Sequence, residues 1–109
     1  MKSVFLLMLL LSTLFSNEKE INHLLKFIES TKCTYDRNGD KHTGSKAVKH
    51  IKKKYKYYYD DIKTTEDFIR LAATKSMMSG SVYKIHCDKE TITSKKWLLK
   101  ELTKYRAKF

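Results

Sequence analysis

The chain has 109 residues, with 23 Lys and Arg against 12 Asp and Glu for a formal net charge of +11, and it contains no proline, three glycines and two cysteines. That length accommodates one small domain and excludes the larger dinucleotide-binding and barrel enzymes. Two cysteines exclude a disulfide-dense miniprotein, and the lack of proline excludes a polyproline linker or a collagen-like chain.

Lys2 precedes an apolar run from Val4 to Leu11, which ends in Ser12-Thr13-Leu14-Phe15-Ser16. One basic residue, an apolar stretch and then small polar residues form the pattern of a secretory signal peptide. A spanning helix needs about 20 apolar residues, and this run stops short at Asn17-Glu18-Lys19-Glu20. Residues 1–16 therefore read as a signal peptide, with an uncleaved anchor as the alternative. Residues 17–109 read as a single periplasmic or secreted domain with no spanning segment. Removing 1–16 takes away eleven apolar residues, which leaves a thin core for a domain of this size.

Cys33 and Cys87 are the only cysteines, and an oxidising compartment would join them. The bridge would close a loop of about 55 residues, worth about 4 kcal/mol on chain-entropy grounds. The competing readings are two free thiols or half of a metal site. The sequence has neither a CxxC pair nor a clustered Cys/His spacing, so no metal or cofactor is expected.

Ile21, Leu24, Leu25 and Ile28 recur at i, i+3, i+4 and i+7, which predicts a helix from Glu18 to Thr31 capped by Asn17. Cys33 to Arg37 alternates as a short strand, Asn38-Gly39-Asp40 signals a turn, and Gly44 interrupts the chain again. Ser45 is the expected cap of a second helix, on which Ala47, Val48, Ile51, Tyr55, Tyr58, Tyr59 and Ile62 share one apolar arc. Thr64 or Thr65 caps a third, Glu66 to Ala73, with acids in its first turn. Val82 to Cys87 alternates as a strand, Asp88-Lys89 turns, and Thr91 to Thr93 forms another short strand. Ser94 is the expected cap of a last helix carrying Trp97, Leu98, Leu99, Leu102 and Tyr105. The expected fold class is α+β: about four helices, a small two- or three-stranded antiparallel sheet, and one disulfide between neighbouring strands.

Five stretches carry a family resemblance: Cys33–His42 (CTYDRNGDKH), Ala47–Tyr55 (AVKHIKKKY), Thr65–Ile69 (TEDFI), Lys75–Tyr83 (KSMMSGSVY) and Trp97–Leu102 (WLLKEL). Together they resemble the bacterial domain-of-unknown-function family 5329, which includes the YfeK-like proteins. The resemblance covers nearly all of the chain after the signal segment. It implies a small exported bacterial protein with paired cysteines, and it brings no activity from which a catalytic residue could be carried over.

Between Lys41 and Lys56 stand seven lysines and no acid. Lys46, Lys49, Lys53 and Lys56 fall opposite the apolar arc of the second helix and form a solvent-facing ridge. Such a ridge suits a polyanion, whether an anionic envelope polymer, an anionic lipid or nucleic acid. The plainer reading is a solvated face. Lysine without arginine argues against specific nucleic-acid readout, which favours bidentate Arg. Tyr55, Tyr58 and Tyr59 read as core, and only Tyr57 points away. His50 and Lys54, four apart, share one flank of this helix, and Arg37, Asn38 and His42 precede it in the chain. These residues are the expected binding corner. His42 and His50 are also weak candidates for general acid–base work on a phosphodiester. The main functional expectation is a non-catalytic binding module for an anionic envelope component or a protein. The alternatives are a small disulfide-bonded hydrolase or nuclease, and an inhibitor or immunity-type protein. Three further constellations are weaker. Lys75, on the arc of the third helix near Ser76 and Ser79, hints at Ser–Lys chemistry without its motif. His86-Cys87-Asp88 is a poor metal group, and the adjacent Asp60 and Asp61 diverge.

Overall fold

A computed structural model describes residues 17–108. The expected signal peptide, residues 1–16, lies outside the described residues. The first helix, α1, is described over 17–30. Its Ile21, Leu24, Leu25 and Ile28 are all buried, as their spacing predicts. The other three helices, α2 (Gly44–Tyr57), α3 (Thr65–Ala72) and α4 (Ser94–Lys108), all touch α1. Gly44 packs beneath the Ile28 carbonyl so closely that an added Cβ would overlap that oxygen. Thr65 of α3 donates to Glu20 at 2.6 Å. On α4, Tyr105 stacks on His23 and Trp97 meets Phe27.

The sheet contains β1 (Thr34–Arg37), β2 (Asp40–His42), β3 (Lys84–Cys87) and β4 (Glu90–Thr93) in the order β2-β1-β3-β4, every pair antiparallel. Four strands replace the two or three expected. The additional one, β2, is three polar residues long and offers no apolar alternation to read. Its register is fixed by the tight Asn38-Gly39 turn, where both residues take positive φ (55° and 88°). That is the two-residue hairpin geometry Asn-Gly favours.

Thr34 pairs with His86, so one step further Cys33 lies opposite Cys87. Their Cα atoms are 4.6 Å apart and the disulfide is formed. It joins the two hairpins at the centre of the sheet. Pairing also aligns His42, Tyr35, Ile85 and Ile92 in one row across the four strands. Tyr35 and Ile85 in that row are buried under the helices. Arg37 shares their face, two residues along β1. The opposite face is polar: Asp36 accepts from His86 at 3.0 Å, and the other His86 ring nitrogen lies 2.8 Å from the Thr91 hydroxyl.

Element ends differ from the sequence reading in ways that matter for the site. The cap of α2 is Thr43, whose hydroxyl accepts from the Lys46 amide, rather than Ser45. The helix ends at Tyr57, and a 3-10 turn (Tyr59–Asp61) follows. Tyr55 therefore packs on Phe68 as expected, Tyr58 is half-buried, and Tyr59 is 56 % exposed rather than core. Thr64 caps α3 in a reciprocal box with Asp67. α3 stops at Ala72, so Lys75 lies on no helical arc; it is exposed and bridges to Val82. Thr93 rather than Ser94 caps α4 by accepting from the Lys96 amide. Ser94 is instead buried against the Tyr35 hydroxyl.

Candidate functional site

α2 lies against the β1–β2 end of the sheet. Two side chains of that end, Arg37 and His42, are directed by strand register toward the helix face. Two of α2, Lys46 and His50, come down one flank at i, i+4. The four line a cavity of about 180 Å³ whose floor is Tyr35, Tyr83, Ala47 and Ile51. A second, shallower depression of about 310 Å³ adjoins it and shares Arg37, His50 and Tyr83. Lys53, Lys54, Tyr57 and Tyr58 of α2 line its near side, and Met77 and Met78 its far side. None of the residues lining either depression is a carboxylate.

Arg37 and His50 are thus common to both depressions, His42 belongs to the first and Lys54 to the second. Lys46 and Lys53 of the ridge turn one toward each depression. Lys49 and Lys56 remain on the exposed surface of α2 outside both. Asn38 is separate: it forms the β1–β2 turn and borders a different surface hollow with Asp36 and Lys84.

The electrostatics follow from burial and like charge. Burial lowers the His50 pKa, and Arg37, Lys54, Lys53 and His42 add to the shift. Burial, reinforced by Arg37, pushes Lys54 down to about 8. Its ammonium is held in place by the Lys75 carbonyl at 2.7 Å and the Tyr83 hydroxyl at 3.2 Å. Burial raises the Tyr83 phenol, and the neighbouring Arg37 partly offsets this. Among the described residues, none of these cations has a carboxylate partner within ion-pair distance.

Sequence reasoning missed Tyr83 and the two methionines. Tyr83 alternates with Ile85, which marked it as core but gave no hint that its hydroxyl would reach Lys54. Met77 and Met78 sit at the tip of a hairpin-like loop between α3 and β3, closed by Tyr83 N–H to the Thr74 carbonyl and Ser76 N–H to the Ser81 carbonyl, both 2.9 Å. The weaker constellations are otherwise engaged. His86 is held by Asp36 and Thr91, and Cys87 is in the disulfide. Asp60 and Asp61 are exposed in the 3-10 turn. No group of three or more His, Cys, Asp or Glu among the described residues is arranged to hold a metal. Likewise, no described helix is long and apolar enough to cross a membrane.

No curated protein and no solved structure is found to match the chain. A family model does match, over residues 15–106 and so over nearly every element described above, and the chain belongs to that family of unknown function, DUF5329.

Proposed function

We propose that this protein is an exported, non-catalytic binding module that holds an anionic component of the cell envelope in the cleft between α2 and the β1–β2 hairpin. One observation carries the reading. Arg37, His42, Lys46, His50, Lys53 and Lys54 line two joined depressions that no acid lines. Concentrating like charge in a concave, partly buried place is unfavourable unless an anion neutralises it. Arg37 supplies the fork that suits phosphate or carboxylate oxygens, and the lysines supply further charge. Export is supported by Lys2 with its apolar run, and by a disulfide of the kind oxidising compartments sustain.

Calorimetric titration with inorganic phosphate and glycerol 3-phosphate tests the reading. Binding should weaken as salt rises, and Arg37→Ala should reduce it tenfold or more, about 1.4 kcal/mol. Absence of binding, or binding indifferent to Arg37→Ala, would remove this reading.

A second reading has its own observation: His42 and His50 line one cavity with Arg37 between the strands and helix. Two imidazoles beside a cation suit phosphodiester hydrolysis, with the neutral His50 as base and His42 as acid. Turnover of RNA that is abolished separately by His42→Ala and His50→Ala would replace the binding reading with this one.

A further inference from the structure

Large apolar side chains scattered singly on a surface need no explanation. Here they are gathered. Met78 is 99 %, Tyr57 81 % and Met77 54 % exposed, and all three border the second depression, continuous with the cationic cleft. The methionines are not on a loose end. Backbone bonds close the loop that bears them, and the Lys54 ammonium clamps its base through the Lys75 carbonyl. Beside them stands Lys53, a long cationic side chain whose stem can lie along apolar surface while its head stays in water.

We propose that this face docks on a lipid bilayer containing anionic lipids. The Met77–Met78 tip enters the acyl boundary, Tyr57 and Tyr58 lie at headgroup level, and one lipid phosphate occupies the Arg37–His50 cleft. The proposal rests on the anion-binding reading above and names the source of the anion. Three features of this face fit together only there. Methionine is flexible and polarisable enough to pack among disordered chains. Tyrosine favours the membrane–water interface. Juxtamembrane lysines gain from an anionic leaflet. A soluble anion would use the cleft and leave the apolar tip without a role. A bilayer lacking anionic lipid would use the tip and leave the cations unmatched.

The test is partitioning of the purified protein onto vesicles of phosphatidylcholine with and without phosphatidylglycerol. Binding should require phosphatidylglycerol. Met77→Ser/Met78→Ser should weaken it by about tenfold or more, since two side chains lose their apolar burial, and should lower vesicle binding by a larger factor than glycerol 3-phosphate binding. The indole introduced by Met78→Trp should shift to shorter wavelength on anionic vesicles and be quenched by brominated chains. Arg37→Ala should weaken vesicle and glycerol 3-phosphate binding together. Glycerol 3-phosphate bound by the protein without any vesicle partitioning would overturn this inference and leave the anion-binding cleft standing. Vesicle binding indifferent to the methionines, with an unshifted indole, would reduce the face to a charged surface and also overturn it. Partitioning that needs the methionines but ignores Arg37→Ala would keep the inserted tip and sink the cleft reading.

Discussion

Two regions of this molecule handle charge in opposite ways. Where α1, α3 and α4 converge, charges are paired. Glu20 is buried, accepts from Thr65, and receives the Arg106 guanidinium at 2.8 and 3.0 Å; the same guanidinium reaches Glu66 at 3.0 and 3.1 Å. Close by, His23 lies 2.7 Å from Glu101 and stacks on Tyr105. Where α2 meets the β1–β2 hairpin, six basic side chains surround a concavity with no acid among them. The first arrangement holds helices together, because each charge has its partner within the fold. The second does little for stability, because its partner must come from outside. Charge is as abundant in one place as in the other, and completeness of pairing separates a brace from a binding surface.

The largest expected effect comes from cutting the tie between the hairpin that carries the cleft and the rest of the sheet. Cys33–Cys87 closes a sequence separation of 54 residues, and its loss should cost about 4 kcal/mol, a fall in Tm of about 20 °C for a domain this small. Thermal melts of Cys33→Ser/Cys87→Ser, and of the unaltered protein under reductant, measure it. A fall of only a few degrees would mean that both regions stand on helix packing alone.

The next largest should come from the paired region. Arg106→Ala leaves the buried Glu20 carboxylate with Thr65 as its one remaining side-chain donor among the described residues. Breaking a buried pair costs several kcal/mol, but Arg106 is itself partly exposed, so about 2 kcal/mol and about 10 °C in Tm are expected. Adding Glu20→Gln should restore part of the loss, since the orphaned charge is then gone. If Arg106→Ala melts with the parent, the contrast between the two regions disappears.

The two regions should also separate by pH. The Arg106 guanidinium holds the Glu20 and Glu66 carboxyls below their ordinary range. Their contribution is fully present above the unfolded-state value of about 4.3 and is lost as the pH falls below it. The cleft works through bases whose pKa is lowered. Lys54, at about 8 in the fold against a usual 10.5, carries fewer protons folded than unfolded between those values, so its contribution makes stability rise with pH across that window. Burial of His50 gives the same sign lower down, with stability rising as the pH climbs toward its ordinary value of 6.5 and level above it. Melts of the parent and of Lys54→Met between pH 8 and 10.5 should therefore diverge, with the rise blunted in the variant. Parallel curves would show that Lys54 is as well solvated as any surface lysine.

This contrast explains what the sequence does and does not disclose. Periodicity exposed the stripe of α1 and the alternation around Ile85, because burial imposes a period of 3.6 or 2 on apolar residues. Cysteine count pointed to the bridge, and Asn38-Gly39 to a turn, without the strand that follows it. The unpaired corner was legible too: a run of lysines with no acid is a local feature, and Arg37, His42, His50 and Lys54 lie close along the chain. Tertiary pairings were hidden. Glu20 reads as an ordinary acid in a first helical turn, and its partner stands 86 residues away. Tyr83 reads as core, and only the folded chain puts its hydroxyl beside Lys54. Asn38 was grouped with the cations by sequence proximity, but the turn carries it elsewhere. Strand β2 escaped notice because a three-residue polar edge strand is defined by its turn and its neighbour, with no pattern of its own.

The smallest expected effect on stability is at the centre of the cleft. Arg37 is half-buried but has no carboxylate partner among the described residues, and it repels Lys54 and His50. Removing it deletes no ion pair and relieves like-charge repulsion. Arg37→Ala should therefore melt within about 0.5 kcal/mol of the parent, in contrast to Arg106→Ala. Proton titration followed by NMR supplies the sharper readout. Arg37 is the largest charge-based cause of the His50 shift, so the variant should move the His50 pKa up toward its ordinary value. A stability loss comparable to that of Arg106→Ala would place Arg37 in the framework of the fold, and the cleft would then be a brace like the other region instead of a place left open for an anion.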